Sequence, residues 1–516
     1  MYGRGMDLSP RLRAVCDLDV AIVRENSGRH EYDGEPQDLS PDGVRTGLAR
    51  LAAARADGER MPDPHDEAQL TAAEDLRRVT FAQLELHRRN PFLHLVEFDL
   101  ACYDREYAPA EERAAARAAH LAAWPRMVDA AIQSLDQVSA PVAEAVLGGV
   151  RGLAAGIPAN GGVTEAVRDA ALAAHARLVD HVSRAAEEGD PDPALGGPAL
   201  ATLMGTAEAI PVDLGQLARQ ADAERDRLHA LLADGCARVA PGRPPLEVAR
   251  QLVRDHPDSA GVFDAARLWT DRVIEFTRDR DLVPYHDGIC LVGPAPESRR
   301  LAMAMMCAAA PGEPDAPSWF QITPPEESWP EQEKQEWLEV FSDTTLPGIA
   351  AHEVAPGHFS HSRALRRLTS QVRRIVQSNS FIEGWAHYGE ELCVEEGFGA
   401  DDPRIAIGVW LEALVRVTRL ACAIGVHTAG MTVAEAARRF AADTHLSGPA
   451  ALSEARRATF DPTYGRYTWG KLEILKLREQ AKKDWGPGFT LQRFHRALMD
   501  LGSPCLGLLR SAVPQR

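Results

Sequence analysis

The chain has 516 residues, a hydrophobic fraction of 45%, a charged fraction of 26% and a formal net charge of −18. This composition is ordinary for a globular protein and excludes a fibrous repeat or a disordered chain. A charge this negative repels phosphate backbones, so we expect no nucleic-acid partner.

The first half of the chain is rich in Ala, Leu, Arg and Glu at helical spacing, which predicts amphipathic helices over residues 42–60, 66–90, 110–140, 162–188 and 216–240. The length exceeds what one compact core usually holds. We therefore expect an N-terminal helical lobe over 1–265 and a catalytic helical lobe over 266–516. Charges interrupt each apolar run near the N-terminus, so no signal peptide is visible and a cytoplasmic protein is expected.

Short strands are predicted over residues 282–285, 288–292 and 318–323. This small β-element either caps the helical body or holds an extended peptide by backbone pairing. Helices resume after residue 328. The apolar stretch Val409–Met431 carries internal charges, which predicts a buried helix and no membrane span. The eight cysteines are widely spaced, which favours reduced and mostly buried thiols over disulfides.

A histidine motif occupies residues 352–358, which read HEVAPGH. A hydrolytic zinc site needs two imidazoles, a third ligand, a water position and a nearby carboxylate. In the common H-E-x-x-H motif the two histidines share a helix face, but here Pro356 takes the second position and His358 comes six residues after His352. Six helical residues rotate about 600°, so the Pro-Gly pair must kink or bulge the helix to return His358 to that face. His361 is a rival ligand.

A second acidic motif follows in an apolar helical segment. Glu383, His387 and Glu390 stand at i, i+4 and i+7 and so share one helix face. Glutamate-ligand zinc peptidases complete their site with a carboxylate from a second helix, so Glu383 is the expected third ligand. His387 and Glu390 are then its neighbours or the groups that orient the ligands. A solvent-facing charged stripe is the alternative, but the aromatic residues around the three positions favour burial.

With these two motifs the sequence resembles the DUF885 family of zinc-metallopeptidase-like proteins, which carries H-E-x-x-P-G-H followed by E-G-W-A-x-Y-x-E. Further similarity extends over most of the chain, in residues 30–41, 425–436, 454–462 and 467–471. Related helical peptidases carry H-E-x-G-H, which supports His358 as the second ligand. The resemblance implies a mostly α fold, a large bilobal helical metallopeptidase-like body with a deep cleft.

Several residues depart from the family pattern. Phe359 stands where a second histidine is frequent, Ala423 where an aspartate is usual, and Ala458 where a tyrosine is usual. The interval from Pro462 to Tyr467 is one residue shorter. We interpret these departures as an intact metal core with an altered substrate-side shell.

The expected chemistry is attack by a water that Zn²⁺ activates. Glu353 accepts the proton of that water and passes it to the leaving nitrogen. Tyr467 and His427 are candidate donors to the oxyanion, although a core aromatic and a satisfied buried histidine are the alternatives. Arg457 either binds a substrate carboxylate or pairs with Glu454 on its own helix.

The sequence therefore predicts a zinc metallohydrolase that cleaves an amide or peptide bond in a small peptide or peptide-like substrate. The alternative is a metal-dependent non-peptidase enzyme that tailors a small biosynthetic intermediate. A non-catalytic binding protein on an inherited fold is a third possibility, which the presence of Glu353 disfavours. Neither a membrane nor a nucleic acid is an expected partner.

Overall fold

The computed structural model describes residues 8–158, 162–296, 299–300, 302–313 and 315–513. Within them, 23 α-helices surround one three-stranded sheet that precedes the histidine motif. The predicted fold class, mostly α with a small β-element, is confirmed. None of the helices in these ranges is long and apolar enough to cross a membrane.

Several helices in the N-terminal half begin at side chains that cap the first free backbone N–H groups, such as Ser40, Asp63 and Thr164. The helices are α1 (Pro10–Cys16), α2 (Val20–Ser27), α3 (Pro41–Asp57), α4 (Pro64–Arg78), α5 (Leu86–Arg89), α6 (Phe92–Phe98), α7 (Ala110–Ser134), α8 (Ala140–Gly152), α9 (Glu165–Glu188), α10 (Gly197–Ala207), α11 (Leu214–Val239), α12 (Pro245–Leu252) and α13 (Gly261–Asp279). The helix predicted over 66–90 is divided by a π-helical turn at Val79–Gln83.

The C-terminal half continues as α14 (Glu331–Leu338), α15 (Leu346–Glu353), α16 (His358–Leu365), α17 (Gln371–Ile375), α18 (Asn379–Glu395), α19 (Pro403–Ala429), α20 (Val433–Asp443), α21 (Gly448–Phe460), α22 (Arg466–Trp485) and α23 (Leu491–Met499). Helix α19 covers the apolar stretch that the sequence predicts as a buried helix, and most of its residues are buried. It begins at a capping Asp402 and ends at Gly430, whose φ of +66° suits glycine.

The sheet consists of β1 (Cys290–Pro294), β2 (Ala304–Cys307) and β3 (Ser318–Ile322) in the order β1-β3-β2. Strand β1 runs parallel to β3, with Val292 opposite Phe320, and β2 runs antiparallel to β3. Two of the three predicted strands are therefore confirmed. The strand predicted over 282–285 is wrong, because Leu282 and Val283 lie in the main core without strand pairing.

The largest hydrophobic core packs α10, α11 and α12 against α18, α19 and α22. It takes residues from both sides of the boundary predicted at 265/266. A second core joins α7, α8 and α9. A third packs the sheet and α13 against α15, and so fixes the start of the histidine motif against β1 and β3. All eight cysteines are free and seven are buried, as predicted.

Candidate metal centre

The two histidines of the motif lie on separate helices. Helix α15 ends at Glu353, and α16 begins at His358. A Cβ atom on Gly357 would lie 1.8 Å from the carbonyl oxygen of His352, so only glycine fits this turn. The imidazole rings of His352 and His358 stand 4.7 Å apart at 85°. The sequence predicted a distortion within one helix, and the structure has a complete break.

Helix α18 holds the linking turn in place. The indole N–H of Trp385 donates a hydrogen bond of 2.8 Å to the carbonyl oxygen of Pro356. One helical turn further, Gly389 leaves room for the proline ring, because a Cβ there would stand 3.1 Å from Pro356 Cγ. The acidic motif therefore supplies a carboxylate and also braces the turn that positions His358.

Glu383 completes a set of three donors. Its Oε2 lies 3.4 Å from Nε2 of His352 and 3.4 Å from Nε2 of His358. Zinc bonds of 2.0–2.1 Å in a tetrahedral site separate neighbouring donor atoms by about 3.4 Å. Burial opposes ionisation of Glu383, but the two imidazoles outweigh burial and hold its pKa well below the usual range. The donor set fits a zinc ion in spacing, charge and chemistry.

Glu390 orients the first histidine. Its Oε1 is 2.5 Å from Nδ1 of His352, and its Oε2 accepts a hydrogen bond of 3.0 Å from Arg416. Donation from Nδ1–H to Glu390 leaves Nε2 of His352 free to bind a metal. Burial and Arg416 lower the pKa of His352, but Glu383 and Glu390 outweigh them and raise it to about 9.

Sequence reasoning missed Arg416 as the partner of Glu390. The available signal was a charged side chain inside the largely apolar stretch Val409–Met431, which also carries Glu412 and Arg419. Arg416 is 6% exposed, so its charge needs a buried counter-charge.

Glu353 is placed as a general base would be. Its carboxylate and the ligand nitrogens of His352 and His358 all lie within 4.8 Å of one another. Glu353 is 8% exposed, and its Oε2 is buried without a hydrogen-bond partner among the described residues. An unpartnered carboxylate oxygen beside the donor set is free to accept a proton.

The other two histidines near the motifs are not in the donor set. His361 is buried and donates a hydrogen bond of 3.1 Å from Nε2 to the carbonyl oxygen of Gly502. Burial lowers its pKa to about 4. His387 is 1% exposed, with Nδ1 3.5 Å from Glu390, and burial followed by the charge of Lys471 lowers its pKa to about 4. The geometry therefore favours His358 over His361.

Tyr467 reaches the site because two glycines allow α18 and α22 to touch. A Cβ atom on Gly384 would stand 2.5 Å from the backbone of Gly470. The ring of Tyr467, one turn before Gly470, lies 6.3 Å from the ring of His352. The guanidinium of Arg419 stands 5.1 Å from the centre of the Tyr467 ring. The charge of Arg419 is balanced by the carboxylate of Glu454, which lies 2.6 Å away.

Arg457 lies beside the same tyrosine. It pairs with Asp461 at 3.1 Å, whereas Glu454 pairs with Arg419 at 2.6 Å, so the expected pair of Arg457 with Glu454 is wrong. Burial disfavours the charge of Arg457, but interactions with Tyr467 and Asp461 outweigh burial and hold its pKa well above the usual range.

His427 is committed to backbone groups. Its Nε2 donates to the carbonyl oxygen of Ala458 at 2.8 Å, and its Nδ1 accepts from the N–H of Leu195 at 3.2 Å. It stands eleven residues beyond Arg416 on α19, which is about 16 Å along the helix axis. The structure does not bring His427 to the histidine pair.

The residues that depart from the family pattern lie in apolar cores. Ala423 is 2% exposed and Ala458 is fully buried, in one cluster with Phe440 and Tyr464. Phe359 packs in the core that joins the sheet to α15. Small and apolar side chains at these positions fill the interior, and the altered substrate-side shell stays a prediction.

Comparison with known proteins connects this site to a family. No curated protein matches the sequence. Two solved structures are similar over nearly the whole chain, both described as candidate lipoproteins. The protein from Shewanella oneidensis, of unknown function, is 20% identical with a TM-score of 0.76 and covers 97% of each chain. The one from Colwellia psychrerythraea is 16% identical with a TM-score of 0.78 and covers 98% of this chain and 96% of its own. These similarities show a shared fold.

The family model described as bacterial protein of unknown function (DUF885) matches residues 23–513, so the chain belongs to the DUF885 family.

Proposed function

We propose that the chain is a zinc-dependent hydrolase that cleaves an amide or peptide bond in a small peptide or peptide-like substrate. One observation carries the proposal: Oε2 of Glu383 lies at tetrahedral zinc spacing from Nε2 of both His352 and His358, and the unpartnered carboxylate oxygen of Glu353 lies beside this donor set. His352, His358 and Glu383 would hold the ion. When bound, zinc supplies a Lewis acid and lowers the pKa of a coordinated water to about 7.

Glu353 moves the proton in this proposal. Its free Oε2 accepts a proton from the attacking water and later delivers it to the leaving nitrogen. The surrounding burial excludes bulk water, so the proton stays on Glu353 between the two transfers. A glutamine at this position would keep the shape of the side chain but could not accept the proton.

Tyr467 stabilises the negative charge that develops on the carbonyl oxygen. Its phenol lies next to His352 and is flanked by Arg419 and Arg457. A hydroxyl donor beside the donor set favours an oxyanion in that position. We assign this role to Tyr467 alone, because both ring nitrogens of His427 are hydrogen-bonded to backbone groups.

Peptide hydrolysis is preferred over the tailoring of a biosynthetic intermediate. The alternative was motivated by Ala423 and Ala458, and both are buried in an apolar cluster. Their replacement of polar residues therefore changes packing and no longer argues for a different substrate.

Glu353→Gln tests the proposal directly. We expect the variant to bind one equivalent of zinc like the wild type and to lose at least about 10²-fold in kcat on a library of short peptides. His352→Ala, His358→Ala and Glu383→Ala should each lose zinc, measured by atomic emission. Glu391→Gln on the same helix as Glu383 is the control, because Glu391 binds Lys471 and Arg227 instead of the histidines. Normal turnover by Glu353→Gln, or stoichiometric zinc in all three ligand variants, refutes the proposal.

A further inference from the structure

Arg363 is a buried cation with no counter-charge. It lies on α16, five residues after His358, and is 5% exposed. Its Nε and Nη1 are buried without a hydrogen-bond partner, and it forms no ion pair among the described residues. Lys471 is paired with Glu224 and Glu391, whereas the buried Arg24 also has two guanidinium nitrogens without a hydrogen-bond partner among the described residues. An unpaired buried guanidinium is costly, which makes it a candidate for binding an anion.

The guanidinium is held in a fixed position. A Cβ atom on Gly288, whose φ is +107°, would lie 2.6 Å from Cζ of Arg363, so the backbone of this glycine lies directly against the group. Phe359 lies on the same face of α16, with its ring 5.7 Å from Cζ. Packing against both fixes the orientation of the guanidinium without consuming its N–H groups.

The nearby acidic residue does not neutralise Arg363. The charge of Asp287 acts on Arg363, but Asp287 is exposed and forms its ion pair with Arg367 at 2.8 Å. Burial lowers the pKa of Arg363, and the charge of Asp287 offsets this only in part. The N–H groups of Arg363 thus stay available to a ligand.

Strand β1 connects Arg363 to the metal centre. Gly288 precedes Cys290, the first residue of β1, by two residues, and two extended residues span about 7 Å. Cys290 packs on the core that contains α15, the helix that ends at Glu353. Ile289, just before β1, and Leu291 on β1 are 62% and 37% exposed. The segment from Gly288 through β1 therefore joins the glycine that packs against Arg363 to the core that supports the histidine motif.

We propose that Arg363 binds the free terminal carboxylate of the substrate. This inference rests on the proposed peptide hydrolysis and names the substrate class: short peptides cleaved near a free C-terminus. A carboxylate accepts two parallel hydrogen bonds from a guanidinium and supplies the missing negative charge.

Matched substrates test the inference on the zinc-loaded full chain. The substrates are an N-acetylated tripeptide with a free C-terminal carboxylate, the same tripeptide as its amide, and an amide with Asp as the last residue. We expect the wild type to prefer the free acid, and Arg363→Gln to raise KM for it by about 10–100-fold with kcat nearly unchanged. Arg363→Lys should recover part of the loss. Arg367→Gln, which removes an exposed and paired arginine four residues later, should resemble the wild type.

Two results would overturn the inference. One is an unchanged acid-to-amide ratio of kcat/KM in Arg363→Gln. The other is preference for the Asp amide with the same dependence on Arg363, which would assign the site to an acidic side chain. Circular dichroism and zinc content confirm that each variant is folded, and Arg363→Met replaces Arg363→Gln if the latter is not.

A binding measurement tests the inference even if the chain cleaves none of the peptides. Hippurate and its neutral amide are titrated into the wild type and Arg363→Gln by calorimetry. We expect hippurate to bind the wild type and to lose at least 10-fold in affinity in the variant, and its amide to bind weakly to both. Equal binding of hippurate to both proteins overturns the role of Arg363. If no peptide is cleaved but hippurate binding depends on Arg363, the proposed function fails and the anion site stands.

Discussion

Replacing Glu390 with Gln isolates the group that orients His352. Glu390 is fully buried and contacts both Nδ1 of His352 and the guanidinium of Arg416. Glutamine keeps an oxygen acceptor for Nδ1–H but removes the negative charge that makes the imidazole a better ligand. Loss of such a partner lowers metal affinity by about 10–100-fold, which is about 1.4–2.8 kcal/mol. Because the carboxylate is shielded from solvent, we expect this full range.

The same change removes the buried counter-charge of Arg416. Breaking a buried pair costs about 3–5 kcal/mol, but Oε2 of Glu412 already lies 3.6 Å from Arg416 and can take over in part. We therefore expect the metal-free variant to lose about 2 kcal/mol in free energy of unfolding.

Two assays separate these effects. Competition with a chelator measures zinc affinity, and urea unfolding of the metal-free chain measures stability. Glu391→Gln is the control, because it also breaks buried ion pairs on α18 but touches neither histidine. Zinc affinity in Glu390→Gln equal to that of the control would refute the idea that Glu390 prepares His352 for metal binding.

Three further predictions concern other parts of the site. Tyr467→Phe should bind zinc normally and lower kcat by about 10²–10³-fold in steady-state peptide assays, since it removes only the oxyanion donor. Gly384→Ala should lower the free energy of unfolding in urea by about 1–3 kcal/mol, because its Cβ would meet the backbone of Gly470 at 2.5 Å; wild-type stability would contradict this close packing. His361→Gln should retain zinc. The folded pKa of His361, about 4, lies below the ordinary histidine value of 6.5, so this residue stabilises the fold above pH 6.5 and loses that contribution as the pH falls towards 4. The stability gap between wild type and His361→Gln should therefore shrink by about 2–3 kcal/mol between pH 7 and pH 4.5 in urea unfolding; an unchanged gap would mean that His361 is not buried in its neutral form.

The helices and the donor set were readable from the sequence because both depend on local patterns. Apolar spacing predicted long helices such as α3, α7, α9 and α11, and capping residues such as Ser40 and Asp402 mark where helices begin. The motif spacing brought His352, His358 and Glu383 into one site hypothesis, and the structure places these three side chains together. Family membership is shown by the match over residues 23–513.

Features that depend on tertiary contacts were not readable. Glu390 on α18 pairs with Arg416 on α19. No sequence pattern within either helix identifies these two residues as partners. Strand β2 was missed because Ala304–Cys307 has four residues and little alternation. The interior location of Ala423 and Ala458 also depends on packing between helices, so a motif comparison alone could not reveal it.

The main core has a consequence for synthesis of the chain on the ribosome. Helices α10, α11 and α12 are complete by residue 252, but their apolar faces pack against α18, α19 and α22, which begin at residue 379. At about 5–20 residues per second, these faces stay uncovered for roughly 6–25 s before their partners begin to emerge. The apolar faces of α10, α11 and α12 therefore stay exposed on the nascent chain while the residues between 252 and 379 are synthesised.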